Sequence, residues 1–350
     1  MFAKLQALII SALIPCGCAL GNGVGESKKL TVREDGTFKI LHLTDFHLYL
    51  AEEGQSSLSV KRLSEPDASL INYLDSVLEA ETPDLVVLGG DNVFCNSTIA
   101  EIFYNTSIRT YRTIADYFEE KAVFWTFVFG NHDTEGGCSK KRILKALEDY
   151  SRFIGGKDSS EYFGSYCIES KGSVYFEDEK LSAKYAKDDR YGNYSIPIYD
   201  SGASKIVYAI FTLDTGSYYS PPPSGMPYKE LIPVQYDWLN TGIADLIQQA
   251  EADINYLIFL HIPYFDEVAE ALGPVNAAHL DGIFAGHSHY NYTAIDYIAD
   301  KPVINAVTGC CFEDSVDYTG ERNARSIIID TILGTVTTYC LDRDAKIIAD

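Results

Sequence analysis

Basic residues and long hydrophobic runs are both scarce in this sequence of 350 residues. Lysine and arginine together number 28, against 50 aspartates and glutamates, so the formal net charge is -22. A chain this acidic offers little positive surface, which argues against nucleic acid or an anionic membrane as its main partner. Beyond the N-terminal segment, no stretch approaches the roughly 18 uninterrupted apolar residues of a membrane helix, so no transmembrane segment is predicted.

The sequence also lacks features that would divide it into parts. No internal repeat, low-complexity tract or linker interrupts it. Hydrophobic residues make up 46% of the chain, which is enough for a full core and excludes global disorder. We therefore expect residues 22–350 to form one domain.

The first residues have the pattern of a targeting segment. Lys4 is followed by an apolar stretch over residues 5–15, which suits the core of a signal peptide and is too short to cross a bilayer. Small residues then place a cleavage site after Ala19 or Gly21. We interpret residues 1–21 as a signal peptide and expect an exported protein (extracellular, vacuolar or lysosomal). An uncleaved membrane anchor is the alternative.

Export would permit disulfide bonds and glycans. Beyond the signal segment the cysteines form an even set, which favours disulfides although the pairing cannot be read from the sequence. The adjacent Cys310 and Cys311 are expected to bond to different partners. The other cysteines are Cys95, Cys138, Cys167 and Cys340, and the sequons that could carry glycans in a eukaryotic host are Asn96, Asn105, Asn193 and Asn291.

Short β-branched runs alternate with helical patterns along the chain. Strands are predicted over residues 38–43, 85–88, 122–128, 205–213, 255–260 and 283–285, and helices over 67–80, 108–120, 139–152 and 234–250. Late strands are predicted over 303–307, 326–332 and 335–340, whereas 155–204 is expected to be loops with short edge strands. This alternation is typical of an α/β fold, in which ligands lie beyond the carboxyl ends of strands.

Residues of the types that bind metals follow these predicted strands. Aspartate and histidine bind first-row metals, a carboxylate can bridge two cations, and glycine permits tight turns and close backbone approach. Single motifs of this kind arise by chance, but an ordered set that follows strand after strand predicts one metal site. The motifs are Asp45-x-His47, Gly90-Asp91, Gly130-Asn131-His132, the lone His261, and Gly286-His287-x-His289.

Other residues near these motifs have weaker signals. His42 lies inside the first strand and is expected to be packed rather than to bind metal, and His279 is expected to be structural. Asp133 either orients His132 or a ligand through a hydrogen bond or is a turn residue. Tyr218 and Tyr219 could line a substrate cleft, although ordinary packing is the simpler reading of both.

The ordered motifs resemble the calcineurin-like metallophosphoesterase superfamily over about residues 38–307. The resemblance implies a four-layer αββα sandwich of two mixed β-sheets flanked by helices. It also implies two metal ions with Asp91 between them, and His132 beside them as an acid or electrostatic group. One ion would be bound by Asp45, His47, Asp91 and His289, and the other by Asp91, Asn131, His261 and His287.

Within the superfamily, the sequence resembles the secreted branch that contains the purple acid phosphatases. Asp214-Thr215-Gly216 and His261-Ile262-Pro263 are similar to motifs of that branch. The purple enzymes have a tyrosine where this chain has Phe94, and they lack a histidine at the position of His47. The iron–tyrosinate chemistry of the purple enzymes is therefore not expected.

The resemblance implies hydrolysis of a small phosphate ester. Two cations about 3.5–4 Å apart would lower the pKa of a bridging water and neutralise phosphate oxygens, so that hydroxide attacks phosphorus directly. Mixed nitrogen and oxygen ligands suit Fe, Zn or Mn. We expect a phosphomonoesterase; the alternatives are a phosphodiesterase acting on nucleotides or lipid headgroups and a non-catalytic binding module that keeps the fold.

Overall fold

The computed structural model describes residues 29–50, 68–94, 101–102, 105–155, 166–168, 190–218, 228–312 and 322–348. The predicted signal peptide, Cys95, Asn96 and Tyr219 lie outside these residues. Within the described residues, none of the helices combines the length and the hydropathy that crossing a bilayer requires.

Strands and helices alternate through the first two thirds of the chain, as the hydrophobic pattern predicts. The strands are β1 (Leu30–Thr31), β2 (Thr37–Leu43), β3 (Leu85–Leu88), β4 (Trp125–Phe127), β5 (Tyr166–Ile168), β6 (Arg190–Tyr199), β7 (Ile206–Leu213), β8 (Asn255–Leu260), β9 (Leu280–Ala285), β10 (Tyr292–Ile298), β11 (Lys301–Val307), β12 (Ala324–Asp330), β13 (Thr335–Leu341) and β14 (Ile347–Ile348). The helices are α1 (Ala68–Glu81), α2 (Thr106–Glu120), α3 (Lys140–Leu147), α4 (Pro233–Ala250), α5 (Phe265–Ala271) and α6 (Pro274–Ala277).

These strands form two mixed sheets. The first sheet has the order β14-β13-β12-β2-β3-β4, and its strands β2, β3 and β4 are parallel neighbours. The second has the order β1-β6-β7-β8-β9-β11-β10, with β5 paired to β6, and its strands β7, β8, β9 and β11 run parallel. Each sheet therefore brings the carboxyl ends of several parallel strands to one edge.

The core lies on both faces of the second sheet. Alternate residues of β7 and β8, such as Ile210 and Phe259, belong to a hydrophobic cluster that also contains first-sheet residues and helices α1 to α3. The intervening Phe211 and Ile258 belong to a second cluster with Leu239 of α4. The period of two in the strands thus buries one face against the other sheet and the other face against a helix. The predicted αββα sandwich is confirmed.

The region 155–204 differs from its prediction. Strand β6 has ten residues and pairs with β1 on one side and β7 on the other, so it is neither a loop nor a short edge strand. Gly192 and Pro197 lower the predicted strand propensity of this segment, because both residue types are rare inside strands. Tyr194, Ile196 and Ile198 nevertheless occupy every second position and pack into the hydrophobic cluster that also contains first-sheet residues.

Other boundaries shift for identifiable reasons. Helix α3 ends at Leu147 instead of residue 152, and begins after Ser139, whose side chain accepts a hydrogen bond from the Arg142 main chain as an N-cap. Strand β10 was not predicted from the sequence, because it is an edge strand and is largely exposed on both faces. It therefore lacks the contrast between an apolar and a polar face that identifies a strand in the sequence.

Candidate metal centre

The sequence-predicted site residues all lie just beyond strand ends. Asp45 and His47 follow β2, Asp91 follows β3, and Asn131 and His132 follow β4 in the first sheet. His261 follows β8, and His287 and His289 follow β9 in the second sheet. Because the two sheets face each other, their carboxyl edges bring together five motifs that lie between residues 45 and 289.

Six of these side chains form two groups that could hold a metal ion. The first group is Asp45, His47 and His289, and the second is Asp91, His261 and His287; within each group the ligand atoms lie within 4.8 Å of one another. Asp45 Oδ1 is 3.2 Å from His289 Nε2, and Asp91 Oδ2 is 3.1 Å from His261 Nε2. These separations suit atoms that share a cation at bonds of about 2.0–2.2 Å.

The Asp91 carboxylate lies close to both groups. Its Oδ2 is 3.1 Å from His261 Nε2 and 3.7 Å from His47 Nε2, which belong to different groups. Its Oδ1 accepts a hydrogen bond of 2.7 Å from the His132 main-chain N–H. One carboxylate oxygen is thus engaged by the polypeptide, and the other faces the space between the two groups.

Asp45 divides its oxygens in the same way. Oδ2 accepts hydrogen bonds from Thr44 Oγ1 at 2.6 Å and from the His287 main-chain N–H at 3.0 Å. The pKa values of Asp45 and Asp91 would be raised by burial, but the neighbouring histidines outweigh burial and lower both. Both carboxyls are therefore ionised at neutral pH and offer negative charge to a cation.

Unsatisfied polar atoms mark the space between these side chains. Asp45 Oδ1, His47 Nε2, Asn131 Oδ1 and His261 Nε2 are buried without a hydrogen-bond partner among the described residues. Burying such an atom unpaired costs on the order of 1–3 kcal/mol, so four around one space need a common explanation. Cations bound there would satisfy all four, and the mixed oxygen and nitrogen donors fit this.

The ring orientation of His261 is fixed from behind. Its Nδ1 lies 2.8 Å from the Gly89 carbonyl oxygen, so Nδ1–H donates to that oxygen and Nε2 is turned toward Asp91. A backbone carbonyl behind a metal-binding histidine usually sets the tautomer in this way. His42, by contrast, is fully buried and pairs through Nδ1 with Thr308 Oγ1 at 2.7 Å, as expected for a packed residue.

Most of the candidate ligands have a left-handed backbone. Positive φ angles between 47° and 71° occur at Asp45, His47, Asp91, His287 and His289. Such angles are uncommon for residues with a Cβ, and strained backbone of this kind clusters at functional sites. The left-handed turns lift each side chain out of its strand direction and into the common space.

Two motif glycines permit the close approach of these turns. A Cβ on Gly130 would overlap the main-chain nitrogen and the carboxylate of Asp91, and one on Gly286 would overlap the side chains of Thr44 and Asp45. The glycines of the motifs are therefore required by contact between neighbouring loops, in addition to the turns they begin.

His132 lies beside the two groups and has a carboxylate partner. Its Nε2 is 3.9 Å from Asp91 Oδ2, and its Nδ1 is 2.8 Å from Glu135 Oε1. Burial alone would lower the pKa of His132, but Glu135 and Asp91 together raise it. Sequence reasoning missed Glu135; its spacing of three residues from His132 in one turn was the available signal.

Asp133 does not hydrogen-bond to His132, contrary to one of the two predicted roles. Its carboxylate accepts hydrogen bonds from the main-chain N–H groups of Gly130 at 2.7 Å and Val93 at 2.9 Å. Burial and the nearby charge of Asp91 raise the pKa of Asp133 to about 7. Asp133 therefore acts as a turn residue that ties together the loops after β3 and β4.

Aromatic rings surround the histidines. Phe94 contacts His47 and His132 with ring centroids 5.8 Å and 4.8 Å apart, so no phenolic oxygen is present at this position. Tyr218 lies at the site rather than packing elsewhere, since its hydroxyl reaches both Asn131 and His132. Tyr228 packs edge-on against His287 with centroids 4.6 Å apart.

The expected disulfides are not seen among the described cysteines. The thiols of Cys310 and Cys311 donate to the carbonyl oxygens of Phe312 and Asn323, both at 3.4 Å, so the prediction that they bond to other cysteines is wrong here. A glycan on Asn193 is also contradicted. That side chain is fully buried and accepts hydrogen bonds from Gln235 and from the Asp214 main chain.

Comparison with known proteins identifies the family of this chain. The family model for calcineurin-like phosphoesterases matches residues 38–291. The chain therefore belongs to the calcineurin-like phosphoesterase family, a family of metal-dependent phosphoesterases.

Relatives include proteins named after the purple acid phosphatases. Probable inactive purple acid phosphatase 14 of Arabidopsis thaliana is 24% identical over 338 residues, which cover 84% of this chain and 74% of that protein. Probable inactive purple acid phosphatase 29 of the same plant is 25% identical over 223 residues, 62% of this chain and 48% of that protein. The resemblance to this branch is thus confirmed, although the chain spans only about half the length of the second relative.

A solved structure is also similar. A dimetal phosphatase from Danio rerio has 14% sequence identity and a TM-score of 0.49, and the alignment covers 86% of this chain and 98% of that one.

Replacing Gly130 tests the close approach of the loops. We expect Gly130→Ala to weaken metal binding about 10- to 100-fold, because the new methyl group displaces the Asp91 carboxylate. Equilibrium dialysis of the metal-free protein measures the affinity. Gly273→Ala is the control, since a Cβ there meets no heavy atom within 4 Å. Wild-type affinity in Gly130→Ala would mean that the contact with Asp91 does not shape the site.

Metal binding is expected to release protons at neutral pH. Burial lowers the pKa of His261, but the Asp91 carboxylate outweighs burial and raises it to about 9, so His261 is protonated at pH 7 without metal. A metal needs the neutral ring, and affinity should therefore rise about tenfold per pH unit up to about pH 9. His287, whose pKa is lowered to about 4 mainly by burial, contributes no proton. Calorimetry in buffers of different ionisation enthalpy counts the protons; a count of zero at pH 7 contradicts the prediction.

Proposed function

We propose that this protein is a dinuclear metal-dependent phosphomonoesterase that hydrolyses small phosphate esters. The observation that supports the proposal most strongly is the Asp91 carboxylate, whose Oδ2 lies within 3.7 Å of a histidine from each of the two ligand groups. A shared carboxylate is how two hydrolytic metal ions are held close together. The names of the purple acid phosphatase relatives favour a monoester as the substrate.

Seven side chains would hold the ions. When bound, the two ions, which we propose to be Fe, Zn or Mn, supply an activated water and neutralise the phosphate oxygens. Asp91 is proposed to bridge them. Asp45, His47 and His289 complete one site, and Asn131, His261 and His287 complete the other.

His132 is proposed as the acid for the leaving group. Its Nδ1 is held by Glu135 and its Nε2 points toward the metal site, 3.9 Å from Asp91 Oδ2. Burial lowers the pKa of His132, but Glu135 and Asp91 outweigh burial and raise it, which favours the protonated imidazole. A protonated Nε2 stabilises the transferring phosphoryl group or donates its proton to the departing alkoxide.

A non-catalytic binding module is the second candidate, because both named relatives are described as probable inactive. In this chain, however, every predicted ligand type is present, and the geometry of the described residues gathers six of them into two groups. Phe94, which stands where the purple enzymes have a tyrosine, removes a phenolic oxygen but none of these candidate ligands.

The pattern of residues 1–21 resembles a signal peptide, and we further propose that the protein is exported.

An assay with two substrates tests the proposed function. The metal-reconstituted protein should hydrolyse an aryl phosphate monoester far faster than the bis-aryl diester. A strong preference for the diester would replace the proposal by a phosphodiesterase. No turnover of either substrate with two metals bound would favour the binding module.

His132→Ala is the internal control of this assay. The variant should bind metal like the wild type but lose about 100- to 10,000-fold in turnover, because it lacks the proposed acid and keeps all seven ligands. A low residual rate also excludes a contaminating phosphatase. Full activity in a metal-loaded His132→Ala preparation would remove His132 from the mechanism.

A further inference from the structure

One hydroxyl group contacts two adjacent residues of the Gly130-Asn131-His132 motif. Tyr218 Oη accepts a hydrogen bond of 2.7 Å from Asn131 Nδ2 and lies 3.3 Å from His132 Nε2. The tyrosine ring also meets the His132 ring edge-on, with centroids 5.8 Å apart. Tyr218 thus connects a candidate metal ligand to the candidate acid, although it is more than 80 residues away in the sequence.

The contact determines which end of the Asn131 amide faces the metal site. An asparagine side chain has a nitrogen that only donates and an oxygen that only accepts, on opposite branches of a planar group. With Nδ2 held by Tyr218, Oδ1 lies on the other branch, where it is buried without a partner among the described residues. Rotation of the amide by half a turn would direct its NH₂ group at a cation and prevent binding.

Tyr218 is itself held in place by its neighbours. It forms an isolated β-bridge with Tyr228, and the main-chain N–H of Lys229 donates to the Ser217 carbonyl at 2.9 Å. The Tyr228 ring packs against the Tyr218 ring at 5.2 Å. The hydroxyl is therefore presented from a fixed backbone.

A buried ion pair joins the segment of Tyr218 to the segment of Asn131. Lys140 Nζ lies 2.6 Å from both carboxylate oxygens of Asp214, and the Gly216 main-chain N–H donates to the same carboxylate at 2.8 Å. Lys140 is the first residue of α3, which follows the Asn131 turn, and Asp214 lies four residues before Tyr218. Both sides of the tyrosine contact are thus anchored to one salt bridge.

We propose that Tyr218 is a positioning residue of the metal centre, whose hydroxyl holds the Asn131 amide with its oxygen toward the cation. The proposal rests on the proposed dinuclear site, in which Asn131 serves only one of the two ions. Loss of the hydroxyl should therefore weaken one metal site and leave the other unchanged.

The test is metal affinity measured without substrate. Metal-free wild type and Tyr218→Phe are titrated with Zn²⁺ or Mn²⁺ by calorimetry, and the two binding steps are fitted separately. We expect one step to weaken about 10- to 100-fold in Tyr218→Phe and the other to stay unchanged. Tyr117→Phe is the matched control, since it removes a hydroxyl that donates to Asp75 at 2.7 Å on the helical layer. It should leave both steps unchanged.

A second background separates orientation from general damage. In Asn131→Asp both branches of the side chain end in oxygen, so no orientation has to be fixed. Adding Tyr218→Phe to Asn131→Asp should then cost little further affinity. Equal weakening in both backgrounds, weakening of both steps together, or wild-type affinity in Tyr218→Phe would each overturn the proposal.

These outcomes do not depend on catalysis. A protein that binds two metals with the predicted Tyr218 effect but hydrolyses neither substrate would contradict the proposed function and leave the role of Tyr218 intact. Phosphatase activity of the wild type, together with unchanged metal affinities in Tyr218→Phe, would support the proposed function and contradict the role of Tyr218.

Discussion

The shared, buried carboxylate of Asp91 is the interaction on which the rest of the centre depends. The residue is only 1% exposed, and burying an ionised carboxylate is costly unless hydrogen bonds and opposite charges compensate for it. Its main-chain carbonyl accepts from His47, its Oδ1 accepts from the His132 main chain, and its Oδ2 lies beside His261. Asp91 therefore joins loops from both sheets, and a displaced Asp91 would disturb all of them at once.

The backbone around the site is strained. Each left-handed residue with a Cβ costs on the order of 1–3 kcal/mol, and five candidate ligands adopt this conformation. Contacts with the rest of the fold hold these turns in place. The parallel strands fix the start of each loop, and main-chain hydrogen bonds between loops fix its path. One example is the Asp45 N–H, which donates to the Gly90 carbonyl oxygen at 3.0 Å. The conformational strain is therefore concentrated at the turns after the strands, where the ligand side chains point away from the strand direction and toward the common site.

The sequence contained enough information for the strands that end in ligands. The runs Leu85–Leu88 of β3 and 257–260 of β8 are continuously apolar because both faces are buried, and the polar ligand residue that follows each run stands out against it. The remaining features depend on tertiary contacts. Tyr218 is one of 25 tyrosines, and the sequence indicated at most a place in a substrate cleft; its contacts with Asn131 and His132 arise only where the loop after β7 meets the loop after β4. Asn193 matches a glycosylation motif, but its side chain is buried and accepts hydrogen bonds from Gln235 of α4 and from the Asp214 main chain, which are tertiary contacts that a three-residue pattern does not contain.

A crystal structure of the metal-reconstituted protein with anomalous scattering data tests most directly whether two ions share the Asp91 carboxylate. We expect two anomalous peaks about 3.5–4 Å apart, with the Asp91 carboxylate between them and Asn131 beside only one. A single peak, or two peaks that do not share Asp91, would contradict this expectation.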